Sequence, residues 1–195
     1  MKLKDISNLR TGLVTARKKA SAVDEETYSY KAVTLKSFKR NGCLSVEYLD
    51  DFTAKEQINA NYLTQYNDIL VRLREPNLAV LIDEDNIDLL IPSLVATIRV
   101  DSDSVDSKFL TYYLNSTIVK KALKSSITGT AINMIKTKEL EDLEIQLPSL
   151  QEQKKIVEFL DLSNKEINLL EELKNQKEKY YQEVFNNILK NGEIK

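Results

Sequence analysis

Residues 147–189 form a stretch that only a long helix satisfies. It opens Leu147-Pro148-Ser149-Leu150-Gln151-Glu152-Gln153 and then runs for about 40 residues with no further proline, and no glycine until Gly192. Proline suits the opening because it has no amide to donate. Ser149 is placed as an N-cap, with Glu152 three residues on to complete a capping box. At 1.5 Å per residue such a helix reaches roughly 60 Å, longer than a small domain is wide, so it is expected to project.

With Ile156 at a heptad d position, Leu160, Ile167, Leu170, Tyr181, Val184 and Ile188 fall on one seam. Ser163, Lys174 and Lys177 interrupt it. A second stripe through Phe159, Leu162, Leu169, Leu173, Tyr180 and Phe185 widens the apolar surface. Such a helix predicts a coiled coil with another helix, in a second copy or in a different subunit. The alternative is a helix folded back over its own domain.

The rest of the chain, residues 1–147, is of a size for one globular domain, with residues 148–195 as a helical arm. The chain has 28 Lys+Arg against 30 Asp+Glu, of which the arm takes 8 and 9, so bulk charge argues neither for nor against nucleic acid. There is no His, which removes the commonest general base and transition-metal ligand. The single Cys43 leaves no zinc cluster and no intrachain disulfide. The N-terminus has no signal-peptide core. The longest apolar run, residues 89–96, is broken by Pro92 and too short to span a bilayer. A soluble, cytoplasmic protein with no membrane partner is expected.

Along the chain, residues 3–9 suit a short strand or turn. Period-two alternation from Tyr28 to Leu35, the Asn41-Gly42 turn and renewed alternation at Leu44, Val46 and Tyr48 predict a hairpin. Ile69, Val71 and Leu73 alternate with Arg72 and Arg74, and further strands are expected at 78–82, 89–91, 94–100 and 143–147. Helical spacing runs from a cap at Ser104 or Asp106 through Phe109, Leu110, Tyr113, Leu114, Ile118 and Leu123. The expected class is α+β, a mixed, β-rich globular domain followed by one long C-terminal coiled-coil helix.

Several short motifs occur in a telling order. They are Leu3-Lys4-Asp5-Ile6 with Gly12 following, Tyr66-Asn67-Asp68-Ile69-Leu70, Phe109-Leu110-Thr111-Tyr112-Tyr113-Leu114 and Thr128-Gly129-Thr130-Ala131-Ile132. Residues 140–147 and Pro148-Ser149-Leu150-Gln151-Glu152-Gln153 with Ile156 and Leu160 complete the series. In this order they resemble the specificity (S) subunit of Type I restriction-modification systems, over nearly the whole chain. One departure is Asn67, where the family often has Gly before Asp, which leaves the local turn open. Family members usually carry two target recognition domains and two helical regions. This sequence has one of each, which implies a half-sized subunit that restores the architecture as a homodimer with antiparallel helices.

The resemblance implies host-defence function through sequence-specific binding of double-stranded DNA without catalysis. Modification (methyltransferase) subunits would use S-adenosylmethionine for DNA methylation, and restriction subunits ATP. No cofactor is expected in this chain: it has no Asn-Pro-Pro-aromatic signature, no Gly-rich cofactor loop and no phosphate loop. Glu152-Gln153-Lys154 imitates a nuclease Glu-x-Lys but sits at a helix start without an acidic strand.

Phosphates are held by cations, hydroxyls and backbone amides, while base edges are read by Arg, Asn or Gln. The DNA-binding candidates are Arg17, Lys18 and Lys19; Lys36, Lys39 and Arg40; Arg72 and Arg74; and Thr128, Gly129, Thr130, Asn133 and Lys136. The dimer or subunit interface candidates are Ile156, Leu160, Ile167, Leu170, Tyr181, Val184 and Ile188. Lys120, Lys121 and Lys124 are read as a solvated helix face, and Tyr112 and Tyr113 as core or interface. The competing reading is a coiled-coil assembly or regulatory protein that does not read DNA. An enzyme acting alone is disfavoured.

Overall fold

The computed structural model describes residues 1–192 apart from 22–23, 25, 40, 75–77 and 127–133, and the side chains of 124–126 and 191. The chain divides into two compact units, Met1–Lys154 and Lys155–Lys195.

The first unit is built on a four-stranded antiparallel sheet. Its strands are β1 (Ser7–Thr11), β4 (Ile69–Arg72), β5 (Ala79–Leu81) and β6 (Val95–Val100), in the order β1-β6-β4-β5. A second sheet pairs β2 (Tyr28–Ala32) with β3 (Asp50–Ala54), Tyr30 opposite Phe52. Helices α1 (Ser107–Asn115), α2 (Thr117–Ser126) and α3 (Thr137–Glu141) follow, and α4 (Leu150–Asn191) is the last element described. The α+β class and the long terminal helix are therefore as expected.

Period-two alternation puts Leu9, Ile69, Val71, Ala96 and Ile98 on one face of the large sheet, where they pack with Leu3, Leu110, Leu114, Val119 and Leu140. The opposite face is apolar at one end, with Leu70, Val80 and Val95 against Val33, Phe38 and Ile91. A third cluster joins Ala32, Ala54, Ile58 and Leu90 beneath the small sheet. The end of β1 crosses the 91–92 backbone closely enough that a Cβ at Gly12 would lie 2.3 Å from the Pro92 carbonyl oxygen. Only glycine fits there.

Four local expectations are corrected. The 28–35 segment pairs with 50–54, not with 44–48. Thr34 caps a 3-10 turn over Leu35–Ser37, and the Thr34 and Ser37 hydroxyls donate to the Tyr48 carbonyl at 2.7 and 2.9 Å, so the alternating residues are drawn into turns. Only the tip survives as an isolated Phe38–Leu44 bridge, with Gly42 at φ 84°. Residues 89–91 form no strand: their backbone stitches segments together, Leu90 to Lys31 and Val33, Ile91 to Leu13 and Tyr62. The helix expected through Leu123 breaks at Ser116, whose extended ψ of 154° ends α1 and whose hydroxyl accepts from the Val119 amide to start α2. Residues 143–147 contribute a single bridge, Glu144 to Lys2, and bond across to the N-terminal residues. Asp106, one of the two candidate caps, accepts from the Phe109 amide at 2.9 Å.

Asn67 settles the turn that the motif left open. It adopts φ 65°, a left-handed conformation that asparagine tolerates far better than most residues, so it does there what glycine would do.

At the head of α4 the capping box forms as its residues predict, with the Glu152 carboxylate accepting from the Ser149 amide at 2.9 Å. Gln153, fully buried, accepts from the Asp106 amide and donates to the Ser104 and Pro148 carbonyls. These bonds seat the first turn of α4 in the globular unit. Among the described residues no helix is long and apolar enough to cross a membrane.

Candidate nucleic-acid interface

The sequence-derived basic residues fall into three places. Arg17, Lys18 and Lys19 lie along the outer edge of β3, held by Ala20 N–H to the Thr53 carbonyl and Lys55 N–H to the Lys18 carbonyl. Arg17 and Lys19 are exposed. Lys18 is ion-paired with Glu56, whose carboxyl is held below its usual range by that hydrogen bond and charge. Its charge is thus partly spent within the protein.

Lys36 and Lys39 are exposed on the turns that precede Gly42, and Arg40 lies outside the described residues. This segment is fastened to the large sheet in two ways. The Leu81 amide donates to the Gly42 carbonyl at 3.0 Å, and Arg72 Nη1 donates to the Leu35 carbonyl at 3.0 Å. Arg72 is half-buried, and burial first and Arg74 second lower its affinity for a proton. It positions the Lys36 turn whatever else it touches.

Just past β4, Arg74 is exposed and bridges Met134 in antiparallel fashion, while the Ile135 amide donates to the Leu73 carbonyl. That register brings Arg72, Arg74 and Lys136 onto adjacent backbone segments. Thr128, Gly129, Thr130 and Asn133 lie outside the described residues. Lys136 is exposed and also lines a groove of about 450 Å³ with Lys138, Glu139, Asp142 and Glu144. The three carboxylates there outnumber the two lysines, so the groove is no anion site.

The structure thus joins the second and third basic groups through the end of β4, and it fixes the first to a different sheet. A fourth polar group was not among the candidates. Asn8 and Arg10 on β1 stand opposite Arg99 and Thr97 on β6. With Asn61 they line a cleft of about 60 Å³ at the polar end of the sheet's second face. The signal in the sequence was the polar half of two alternations, Asn8-Leu9-Arg10 and Thr97-Ile98-Arg99, in strands read for their apolar half.

Of the helix seam, Ile156, Ile167, Leu170, Tyr181 and Val184 are exposed, Leu160 and Ile188 half-buried. Phe159, Leu162, Leu169, Leu173, Tyr180 and Phe185 of the second stripe are exposed as well. Tyr113 packs on the core, its ring 6.1 Å from that of Phe109.

The family model of the Type I restriction modification DNA specificity domain matches residues 1–179. The specificity subunit of the Type I restriction enzyme MjaVIII from Methanocaldococcus jannaschii is 35% identical over 94 residues, which are 48% of this chain and 22% of that one. Among solved structures, the HsdS subunit from Thermoanaerobacter tengcongensis superposes with a TM-score of 0.69 at 15% identity. The match covers 97% of this chain and 47% of that one. The Type I restriction-modification S subunit from M. genitalium gives 0.56 at 18%, over 94% and 43%. A chain from a study of assembly and conformational transition of the type I R-M system gives 0.67, covering 97% and 44%. This chain thus spans less than half the length of the relatives it matches.

Proposed function

The chain belongs to the family of Type I restriction modification DNA specificity domains, and on that premise we propose that it is a non-catalytic, DNA-reading subunit of a Type I restriction-modification complex. In this reading one β-rich unit reads one half-site. The helix pairs with the helix of a second copy, so that two inverted half-sites are read across an unread spacer. Modification subunits carrying S-adenosylmethionine and restriction subunits using ATP would assemble on it in the cytoplasm.

The observation that carries the pairing is the 42-residue α4, whose seam residues Ile167, Leu170 and Tyr181 are exposed in the single chain. An apolar stripe of that length on a soluble helix is expected to be covered by a partner. The proposed DNA contacts are Arg74 and Lys136 just past the end of β4, Lys36 and Lys39 on the turns that Arg72 fastens to the sheet, and Arg17 and Lys19 at a second place.

Light scattering of the 195-residue chain over a range of concentrations tests the pairing. A mass near twice 22.4 kDa is expected; a strict monomer would mean that a different chain supplies the second half. Deleting two heptads from α4 should shorten the spacer between half-sites, and an unchanged spacer would count against the arrangement. Arg74→Ala with Lys136→Ala should abolish DNA binding and leave the mass of the pair intact. A subunit of assembly only would be indifferent to that double change.

A further inference from the structure

The polar cleft on the large sheet has the makings of an anion site. The guanidinium of Arg99 is fixed by two hydrogen bonds to Asp68, Nε to Oδ1 at 2.7 Å and Nη2 to Oδ2 at 2.8 Å. Asp68 is wholly buried, and its Oδ2 also accepts from the Gln65 amide at 2.8 Å. Both carboxylate oxygens are therefore engaged, and Arg99 is held as a rigid fork with Nη1 outside the pair. On the neighbouring strand Arg10 Nε donates to Asn8 Oδ1 at 3.1 Å. That bond leaves the Asn8 amide N–H₂ and the two terminal nitrogens of Arg10 as donors.

Asn61 and Thr97 complete the lining. Asp68 neutralises Arg99, so the site keeps one net positive charge, from Arg10. Every lining residue offers a donor, and none carries a negative charge. A volume of about 60 Å³ is too small for a nucleobase and fits one tetrahedral oxyanion. One positive charge matches a phosphodiester, which carries one negative charge.

We infer that Asn8, Arg10, Asn61, Thr97 and Arg99 form a phosphate-binding site whose ligand is a backbone phosphodiester of duplex DNA. This rests on the DNA-reading function proposed above and adds to it a contact outside the β4-end residues. The site positions the duplex and reads no base, since phosphate contacts set register without carrying sequence information.

The test uses the full chain and a short mixed-sequence duplex, with binding followed by anisotropy between about 50 and 200 mM salt. Arg10 is exposed, so Arg10→Gln should fold normally. Loss of one phosphate contact is expected to weaken binding several-fold at the low-salt end and to reduce the log–log salt slope by about 1. Arg10→Lys should keep the slope. Inorganic phosphate is titrated in parallel while the side-chain amide signals of Asn8 and Asn61 are followed by NMR. Shifts of both signals with phosphate and with duplex support the proposal. If the duplex binds the wild type but Arg10→Gln leaves affinity and slope unchanged, the site is overturned and the DNA-reading function stands. Shifts with inorganic phosphate alone overturn the duplex as ligand. No duplex binding and no shifts overturn both readings.

Discussion

The Asp68 carboxylate, with no solvent exposure, is held by the Arg99 guanidinium through two parallel hydrogen bonds of 2.7 and 2.8 Å. A bidentate pair of this kind is among the stronger charge-assisted contacts, and it raises the proton affinity of Arg99. Its partners differ in what they can reach: side-chain exposure is 36% for Arg99 and none for Asp68. Removing the arginine therefore strands a carboxylate that water cannot solvate.

Arg99→Ala is expected to cost about 3–5 kcal/mol, the usual penalty for breaking a buried pair from one side. The double change with Asp68→Ala should cost less than the two singles together, because the second removal relieves the stranded charge. Urea unfolding of the four proteins measures both. Additive costs would mean that the pair is not coupled.

Gln153 joins three backbone groups, the Asp106 amide and the Ser104 and Pro148 carbonyls, at 2.9, 2.8 and 3.0 Å. Gln153→Ala leaves these groups with no side-chain partner and is expected to destabilise by about 1–3 kcal/mol. Gln153→Glu should be worse at neutral pH, because it sets a carboxylate against two carbonyl oxygens where an N–H₂ stood. Denaturant unfolding followed by circular dichroism ranks the two. The reverse order would mean that volume, not hydrogen bonding, is what this side chain supplies.

How much of this was legible in the sequence depended on whether a residue's role was local. The Ser149–Glu152 cap and the long α4 follow from hydrogen bonding and periodicity within a few residues and form as read, and of the two candidate caps Ser104 and Asp106 it is Asp106 that caps α1. The pairing of 28–32 with 50–54 was misread because Thr34 and Ser37 draw the chain into turns through the distant Tyr48 carbonyl. Ser116 hid a helix break behind unbroken apolar spacing. Arg72 read as a polar-face cation, yet it donates to Leu35, 37 positions away in the chain. The Asn8–Arg99 cleft is assembled by the β1–β6 register, which no local pattern encodes.

Asp142 accepts from Lys2 and Lys4 at 3.0 and 3.2 Å and ties the N-terminal turn to the end of α3. The hydrogen bonds from Lys2, then Lys4, hold its carboxyl below the ordinary aspartate value, and the same contact raises Lys2. A carboxylate whose folded value is depressed contributes stability above its unfolded value and loses it as pH falls through the folded one. Asp142→Asn should therefore lower the melting temperature slightly at neutral pH. The difference should close on acidification below the ordinary aspartate range. Melting curves at a series of pH values check this, and a gap that widened in acid would contradict it. The effect is small because all three side chains are well solvated.

The α4 seam gives the most direct check on pairing. Lys174 and Lys177 occupy seam positions between Leu170 and Tyr181, and the exposed Lys174–Glu178 pair at 3.8 Å is worth little. If α4 pairs through this seam, these lysines weaken it. Lys174→Leu with Lys177→Leu adds two apolar side chains per helix to the seam, each worth about 1.5–3 kcal/mol if fully buried. Even partial burial should then tighten self-association at least about tenfold. Ile167→Lys with Leu170→Lys should do the opposite and yield monomers, while the fold of Met1–Lys154 stays intact. Sedimentation equilibrium of the three proteins decides the matter. A dimer indifferent to both double changes would place the interface off this seam, and the Phe159–Leu162–Leu169 stripe would then be the face to mutate.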